Sequence, residues 1–239
     1  MKSLALALTL TVLAGAALAA ERPITAPTPN TLTTTEKAGG WRLLFDGRTT
    51  AGWKGFKSPA PDAGWSVRDG ALSPDPKTSK DIVTKGAYEN FELSFEWKIA
   101  PKGNSGVMFH VIEVGDETYQ SGLEYQVLDN AHGEPPLQRA GGLYALYAPT
   151  TDATKPPGEF NQGRIVVDHG HVQHWLNGVL VADYEIGSAD FKARVAASKF
   201  RQWPQFASAR TGAIALQCHG NEVAFRSLKI RLLKSGVVA

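Results

Sequence analysis

The sequence predicts an all-β protein, a sandwich of two antiparallel sheets with one short helix. Three observations carry this prediction. Phe91 to Ile99 alternates strictly: Phe91, Leu93, Phe95, Trp97 and Ile99 fall on one face and Glu92, Ser94, Glu96 and Lys98 on the other. That is the period of a strand buried on one side. Asp69-Gly70, His169-Gly170 and Asn177-Gly178 separate apolar runs by the residue pairs that tight hairpin turns prefer. Finally, 24 glycines and 14 prolines in 239 residues, with 43% apolar residues, suit many short strands around one core better than long helices.

Taken in order, Met1 to Ala20 opens with Lys2, runs apolar from Leu4 to Leu18 and ends in the small-residue site Ala17-Leu18-Ala19. This is the pattern of a cleaved signal peptide rather than a spanning helix, so the mature chain is expected to be soluble, periplasmic or secreted, with no membrane segment. Residues 21–40, rich in Pro and Thr, read as an extended linker, with an edge strand as the alternative near Thr31 to Thr35. Residues 41–234 form the domain. Beyond Phe91 to Ile99, strands are expected over Gly106 to Glu113, Gly122 to Leu128, Arg164 to His169, Val172 to Leu176, Ala213 to His219 and Val223 to Leu232. The helix is expected over Ser188 to Ser198, capped by Ser188, with Phe191 and Val195 on one side.

Composition narrows the function. A formal charge of +2 excludes a strongly basic nucleic-acid binder. One cysteine, Cys218, excludes an intrachain disulfide framework and a Cys-cluster zinc site. There is no Gly-x-Ser-x-Gly elbow, phosphate loop or His-Glu-x-x-His helix. His169, His171 and His174 surround one hairpin, but no carboxylate stands at a familiar ligand spacing, and an exposed hairpin is the simpler account. The Glu-x-Asp-x-x-Glu strand of sandwich-fold glucanases is also absent, which argues against an ordinary two-carboxylate glycosidase.

Two strands carry unusual faces. In Gly122 to Leu128, Leu123, Tyr125 and Val127 oppose Glu124 and Gln126. In Ala213 to His219, Ile214, Leu216 and Cys218 oppose Ala213, Ala215, Gln217 and His219. Solvated outer faces also alternate in this way, but they are usually Lys, Glu and Thr. Two alanines beside Gln and His leave room for a polar ligand. His110 shares a predicted face with Met108 and Ile112 and, taken alone, reads as a hydrogen-bonded packing residue.

The ordered set of segments resembles the 3-keto-disaccharide hydrolase domain family over roughly Gly40 to Leu233. It comprises Trp41-Arg-Leu-Leu-Phe-Asp-Gly-Arg-Thr-Thr-Ala-Gly-Trp53, Trp65-Ser-Val-Arg-Asp-Gly-Ala-Leu72, Tyr88-Glu-Asn-Phe91 and Asn104-Ser-Gly106. Gly122-Leu-Glu-Tyr-Gln-Val-Leu-Asp129, Gly142-Leu-Tyr144, Phe160-Asn161 and Trp175-Leu-Asn-Gly178 follow. Gly212-Ala-Ile-Ala-Leu-Gln-Cys-His-Gly220 and Phe225-Arg-Ser-Leu-Lys-Ile230 close the set. Two positions depart from the family pattern: His110 stands where Arg is frequent and Phe160 where Trp is usual.

The resemblance implies a concanavalin A-like jelly roll that cleaves glycosides whose sugar carries a ketone at C3. The ketone acidifies the C2 proton. A base removes it, the C1 substituent leaves, and water adds back. From residue type, Glu124 is assigned as base, His219 as acid or reciprocal base, and Gln126 and Gln217 as donors to the enolate oxygen. Asn104, Ser105 and His110 are placed near the rim, and Trp53, Tyr144 and Asn161 among the substrate contacts. No cofactor is assigned; a divalent cation on the enolate oxygen is conceivable, but no ligands for it are placed. The implied partners are a small carbohydrate substrate and an upstream sugar 3-oxidoreductase. The rivals are a lectin-like module, with Trp53, Tyr144 and Phe160 as platforms, and a conventional glycosidase acting on unoxidised sugar. The leader makes one prediction of its own. N-terminal sequencing of protein from the native host should find Ala20 or Glu21 first, and an intact Met1 would refute export.

Overall fold

The computed structural model describes residues 28–233; the leader lies outside them. Two short α-helices, α1 (Thr34–Ala38) and α2 (Ala189–Ala197), accompany the strands. The strands are β1 (Arg42–Leu43), β2 (Trp53–Gly55), β3 (Ser66–Arg68), β4 (Ala71–Ser73), β5 (Ile82–Thr84), β6 (Phe91–Ile99) and β7 (Asn104–Val111). They continue as β8 (Leu123–Leu128), β9 (Asn161–Asp168), β10 (His171–Leu176), β11 (Val179–Glu185), β12 (Ala213–Leu216) and β13 (Val223–Leu232). The large sheet runs β11-β10-β9-β6-β13-β4-β3, with β1 added against β13, and the small sheet runs β2-β5-β12-β7-β8. Every strand pairing is antiparallel among the described residues.

The alternation read in Phe91 to Ile99 builds the core. Phe91, Leu93, Phe95, Trp97 and Ile99 face inward and meet Val107, Phe109, Leu123, Tyr125, Val127, Ile214 and Leu216 of the small sheet. Phe95 sets its ring edge against Tyr125 at 5.2 Å. Each large side chain buried here contributes about 1.5–3 kcal/mol. On the outer face of β6, Glu92 is 5% exposed and accepts from Arg164 Nε at 2.5 Å and Arg231 Nε at 2.6 Å. The face expected to be solvated is therefore a ladder of ion pairs. Asp69-Gly70 (φ 49° and 71°) and Asn177-Gly178 (φ 48° and 83°) supply the left-handed pairs that their hairpins require.

Residues 30–38 are not an extended linker. Thr33 and Glu36 close a capping box at the start of α1. Asn30 Oδ1 accepts from Ser227 N at 2.8 Å, its Nδ2 donates to Gly70 O at 2.8 Å, and Glu36 pairs with Lys229. This segment therefore docks on β13. The second helix agrees with expectation: Ser188 Oγ accepts from Phe191 N at 3.1 Å, and Phe191 is buried.

Four candidate ligand contacts prove to be structural. Trp53 is inside the core at 1% exposure, its Nε1 donating to Leu44 O at 2.9 Å; the inward half of the β2 alternation takes the ring. Ser105 also points inward and donates to Gln217 O at 2.7 Å. Asn161 lies on the large sheet, where Oδ1 accepts from Lys155 N at 2.8 Å and Asn177 Nδ2 at 2.7 Å, tying two loops together. His110 leaves the Met108 face because β7 carries an extra residue there. Ala213 pairs with Val111 but Ala215 with Met108, and His110 has φ 54°. This bulge turns the ring toward Phe91 and Phe109, with Nε2 at 2.9 Å from Glu89 O.

The histidine hairpin also resolves into structure. His174 is fully buried rather than exposed, donating from Nδ1 to Gly141 O at 3.0 Å and accepting from Tyr184 OH at 3.0 Å. Burial pushes its pKa down to about 4. His169 and His171 face Asp168 and Asp183, at 2.5 Å and 2.7 Å. A Trp53→Ala substitution should cost about 3–5 kcal/mol in urea unfolding, the loss expected of a core tryptophan. A surface platform would cost almost nothing.

Candidate active site

The outer face of the small sheet holds the candidate site. Strand register sets its rows. Val83 pairs with Ala215, Ala215 with Met108, and Met108 with Glu124. One row on, Gln217 N donates to Gly106 O at 3.0 Å, and Gly106 pairs with Gln126. Glu124 and Gln126 face this side because Leu123, Tyr125 and Val127 are taken by the core.

The floor beneath Glu124 is apolar. Val83, Met108, Val111 and Ala215 form a buried cluster, bordered by Phe56, Tyr119 and Ala213. The Glu124 side chain leans across the neighbouring strand above Gly106, where a Cβ would collide with its Oε1, Cγ and Cδ. Glycine is needed at 106 for that approach. Glu124 is 6% exposed and makes no side-chain hydrogen bond among the described residues. Burial of the carboxyl raises its pKa to about 8; the Lys199 charge opposes the rise and the Asp81 charge adds to it.

Two amides stand beside it. Gln126 donates from Nε2 to Asn104 Oδ1 at 3.2 Å, while its Oε1 is buried without a partner. Gln217 Oε1 is likewise buried and unpartnered. Both side chains are more than nine-tenths buried, at 1% and 8% exposure. A buried acceptor without a donor is costly, by about 1–3 kcal/mol. Both oxygens are closed off from solvent in this arrangement. Gln217 Nε2 makes no hydrogen bond among the described residues and is not closed off from solvent, so that amide stays open as a donor.

Turns wall the face. Tyr144 N donates to Glu124 O at 3.0 Å, placing the Tyr144 ring at the edge of β8. Tyr119 comes from the Thr118–Gln120 turn and sets its ring edge against Trp203 at 5.3 Å. Asp81 ties that turn to the sheet: Oδ2 accepts from the Thr118 hydroxyl and Oδ1 from Cys218 N at 2.9 Å. Burial raises the Asp81 pKa. His219 is exposed beyond the end of β12, where its charge acts on Asp81.

The structure thus gathers Glu124, Gln126, Gln217, Asn104 and Tyr144, sets His219 at the margin beside Asp81, and excludes His110, Ser105, Trp53 and Asn161. Sequence reasoning missed Asp81, Tyr119, Lys199 and Gly106. Only Gly106 left a signal, an isolated glycine inside a strand. A cavity of about 510 Å³ lined by Arg68, Lys98, Phe160 and Arg226 lies on the outer face of the large sheet, away from this set. Phe160 is there, beneath Arg226 at 3.6 Å, so the aromatic residues of the lectin-like reading do not share a surface.

Comparison with known proteins adds relatives to this geometry. Residues 40–231 match the 3-keto-alpha-glucoside-1,2-lyase-like domain. A 3-keto-disaccharide hydrolase of Bacteroides thetaiotaomicron is 30% identical over 230 residues, covering 82% of this chain and 79% of its own. A crystal structure from Parabacteroides distasonis, provisionally classed as a glycosyl hydrolase, is 36% identical with a TM-score of 0.81, covering 87% of this chain and 100% of its own. A Bacillus subtilis protein with a galectin-like fold (12% identical, TM-score 0.51, 86% of this chain and 94% of its own) shares the sandwich alone.

The raised pKa of Glu124 has a consequence for stability. Between pH 4.5, its ordinary value, and about 8, the folded state holds a proton that the unfolded state releases. Stability therefore falls as pH rises through that window. Glu124→Gln should raise Tm by roughly 3 °C or more at pH 8–9 and leave it unchanged near pH 4, as read by calorimetry at both pH values.

Proposed function

The chain belongs to the 3-keto-alpha-glucoside-1,2-lyase-like domain family, and from that premise we propose that it cleaves 3-keto-glycosides with Glu124 as the base. One observation carries the reading. A buried carboxyl without a hydrogen-bond partner stands on an apolar floor, flanked by two buried amide oxygens that also have none. Gln126 and Gln217 would flank the sugar and set the ring over Gly106, bringing C2 to Glu124, with Gln217 Nε2 as an open donor. An ionised carboxylate in such a place is a far stronger base than one in water.

The chemistry then follows from the ketone. Glu124 takes the C2 proton, and the electron pair of the C2–H bond forms an enolate with the C3 carbonyl. As the carbonyl re-forms, a C1–C2 double bond is made and the C1–O bond breaks. The departing alcohol takes a proton, for which His219, exposed at the margin, is the proposed donor. Water then adds its oxygen to C1 and a proton to C2, leaving the 3-keto sugar. Such a substrate must be supplied by a reaction that oxidises the C3 hydroxyl of a glycoside. The leader sequence supports export as the setting.

A second reading has one observation in its favour. The Asp81 charge helps raise the Glu124 pKa, so two carboxyl groups lie close at this face, as in direct displacement at C1. Against it, both Asp81 oxygens already accept hydrogen bonds, which makes Asp81 a brace for the Thr118 turn.

Cleavage in heavy water separates the two. Elimination should place deuterium at C2 of the released sugar beyond a no-enzyme control, whereas displacement leaves C2 protiated. Glu124→Gln should lower the rate ~100-fold or more. Wild-type kcat/KM should rise with pH toward about 8 as Glu124 ionises. Full activity in a folded E124Q protein would remove Glu124 from the chemistry.

A further inference from the structure

Proton abstraction by a carboxylate moves one negative charge from the base to the C3 oxygen. The site needs a group to match it, and the amides of Gln126 and Gln217 are neutral. The Gln126 amide N–H is already committed to Asn104. A cation must therefore come from the walls.

Lys199 begins the Lys199–Gln202 turn that follows α2. That turn is anchored twice. Ser198 Oγ accepts from Phe200 N at 3.1 Å, and buried Phe200 stacks on Phe206 at 3.9 Å. The Lys199 ammonium lies 4.5 Å from the centre of the Tyr144 ring and 5.2 Å from that of Tyr119. These are the two rings that border Glu124, and the Tyr144 backbone is bonded to that of Glu124. Lys54, in the same row as Val83, is neutralised by Glu113 at 2.6 Å. Lys199 makes no ion pair with a carboxylate among the described residues. Aromatic faces hold an ammonium without cancelling its charge.

We propose that Lys199 is the cation that stabilises the enolate oxygen, held for that task by Tyr119 and Tyr144. This rests on the reading of Glu124 as base. No bond to Lys199 forms or breaks: the C2 proton passes to Glu124, the pair from C2–H enters the enolate, and the ammonium faces the oxygen that gains the charge. The mutual effect of Lys199 and Glu124 on each other's ionisation agrees with their closeness.

The test uses the mature chain with Lys199→Met and Lys199→Arg, a 3-keto-glycoside and heavy water. K199M should lower both cleavage and C2 exchange by ~100–1000-fold, the cost of removing one charge-stabilising donor. Its Tm should stay close to wild type, because the side chain is solvent-accessible. The acid limb of its pH profile should move to higher pH, because Glu124 loses a charge that favours its ionised form. K199R should recover part of the rate. Near wild-type turnover in K199M, with the limb unmoved, would overturn the proposal while E124Q stays inactive and the base reading stands. A loss that follows a lowered Tm and is not recovered by Arg assigns Lys199 to structure and overturns it too. If the wild-type protein neither cleaves nor exchanges the 3-keto-glycoside, the base reading fails and takes this one with it.

Discussion

Every residue of β8 is buried, on both faces of its sheet, and the rest of the molecule depends on that double burial. Its inward side chains, Leu123, Tyr125 and Val127, join the sandwich core. Its outward side chains would stand in water if the small sheet were simply an outer wall. Instead the turns bearing Tyr119, Tyr144 and Lys199 close over them. A strand buried twice must put its polar residues somewhere dry, and Glu124 is where that cost is concentrated. With Glu124 so little exposed, hydrogen bonds and charges beside it act more strongly than in solvent.

Two glutamates show how differently the sheets treat one kind of side chain. Glu92 on β6 and Glu124 on β8 are almost equally hidden, at 5% and 6% exposure. Glu92 is gripped by two guanidiniums, and its position ties β9 and β13 to the central strand. Glu124 has an apolar floor, no hydrogen bond and one cation held back by aromatic rings. The first arrangement secures the fold. The second leaves a group with unsatisfied chemistry, which is what a base needs and a scaffold avoids. Asp81 lies between these cases: it shares the site but spends both oxygens on holding the Thr118 turn.

Much of this was legible in the amino-acid order. β6 and β13 have the bounds that their alternation indicates, and the Asp-Gly, His-Gly and Asn-Gly pairs form their hairpins. Ser188 caps the helix it announces. The division of β8 into a core face and a polar face follows from period two alone, and it sets Glu124 and Gln126 apart from the core residues. The capping box at Thr33 and Glu36 was equally visible, but the surrounding Pro and Thr residues concealed it.

What the sequence determines by itself is which residues of a strand travel together, because side chains alternate along an extended backbone. It cannot say where alternation breaks. One inserted residue in β7 swung His110 out of the Met108 face, and only the pairing with β12 reveals it. Nor can it say what faces a strand from a distant turn. Lys199 is 75 positions from Glu124, and no local pattern marks the lysine as its neighbour. Trp53 and Asn161 carry the chemistry of sugar contacts, yet packing claimed one and loop anchoring the other. The strands and their faces come from local backbone geometry; the site comes from long-range pairing and closure, which exist only once the chain has folded.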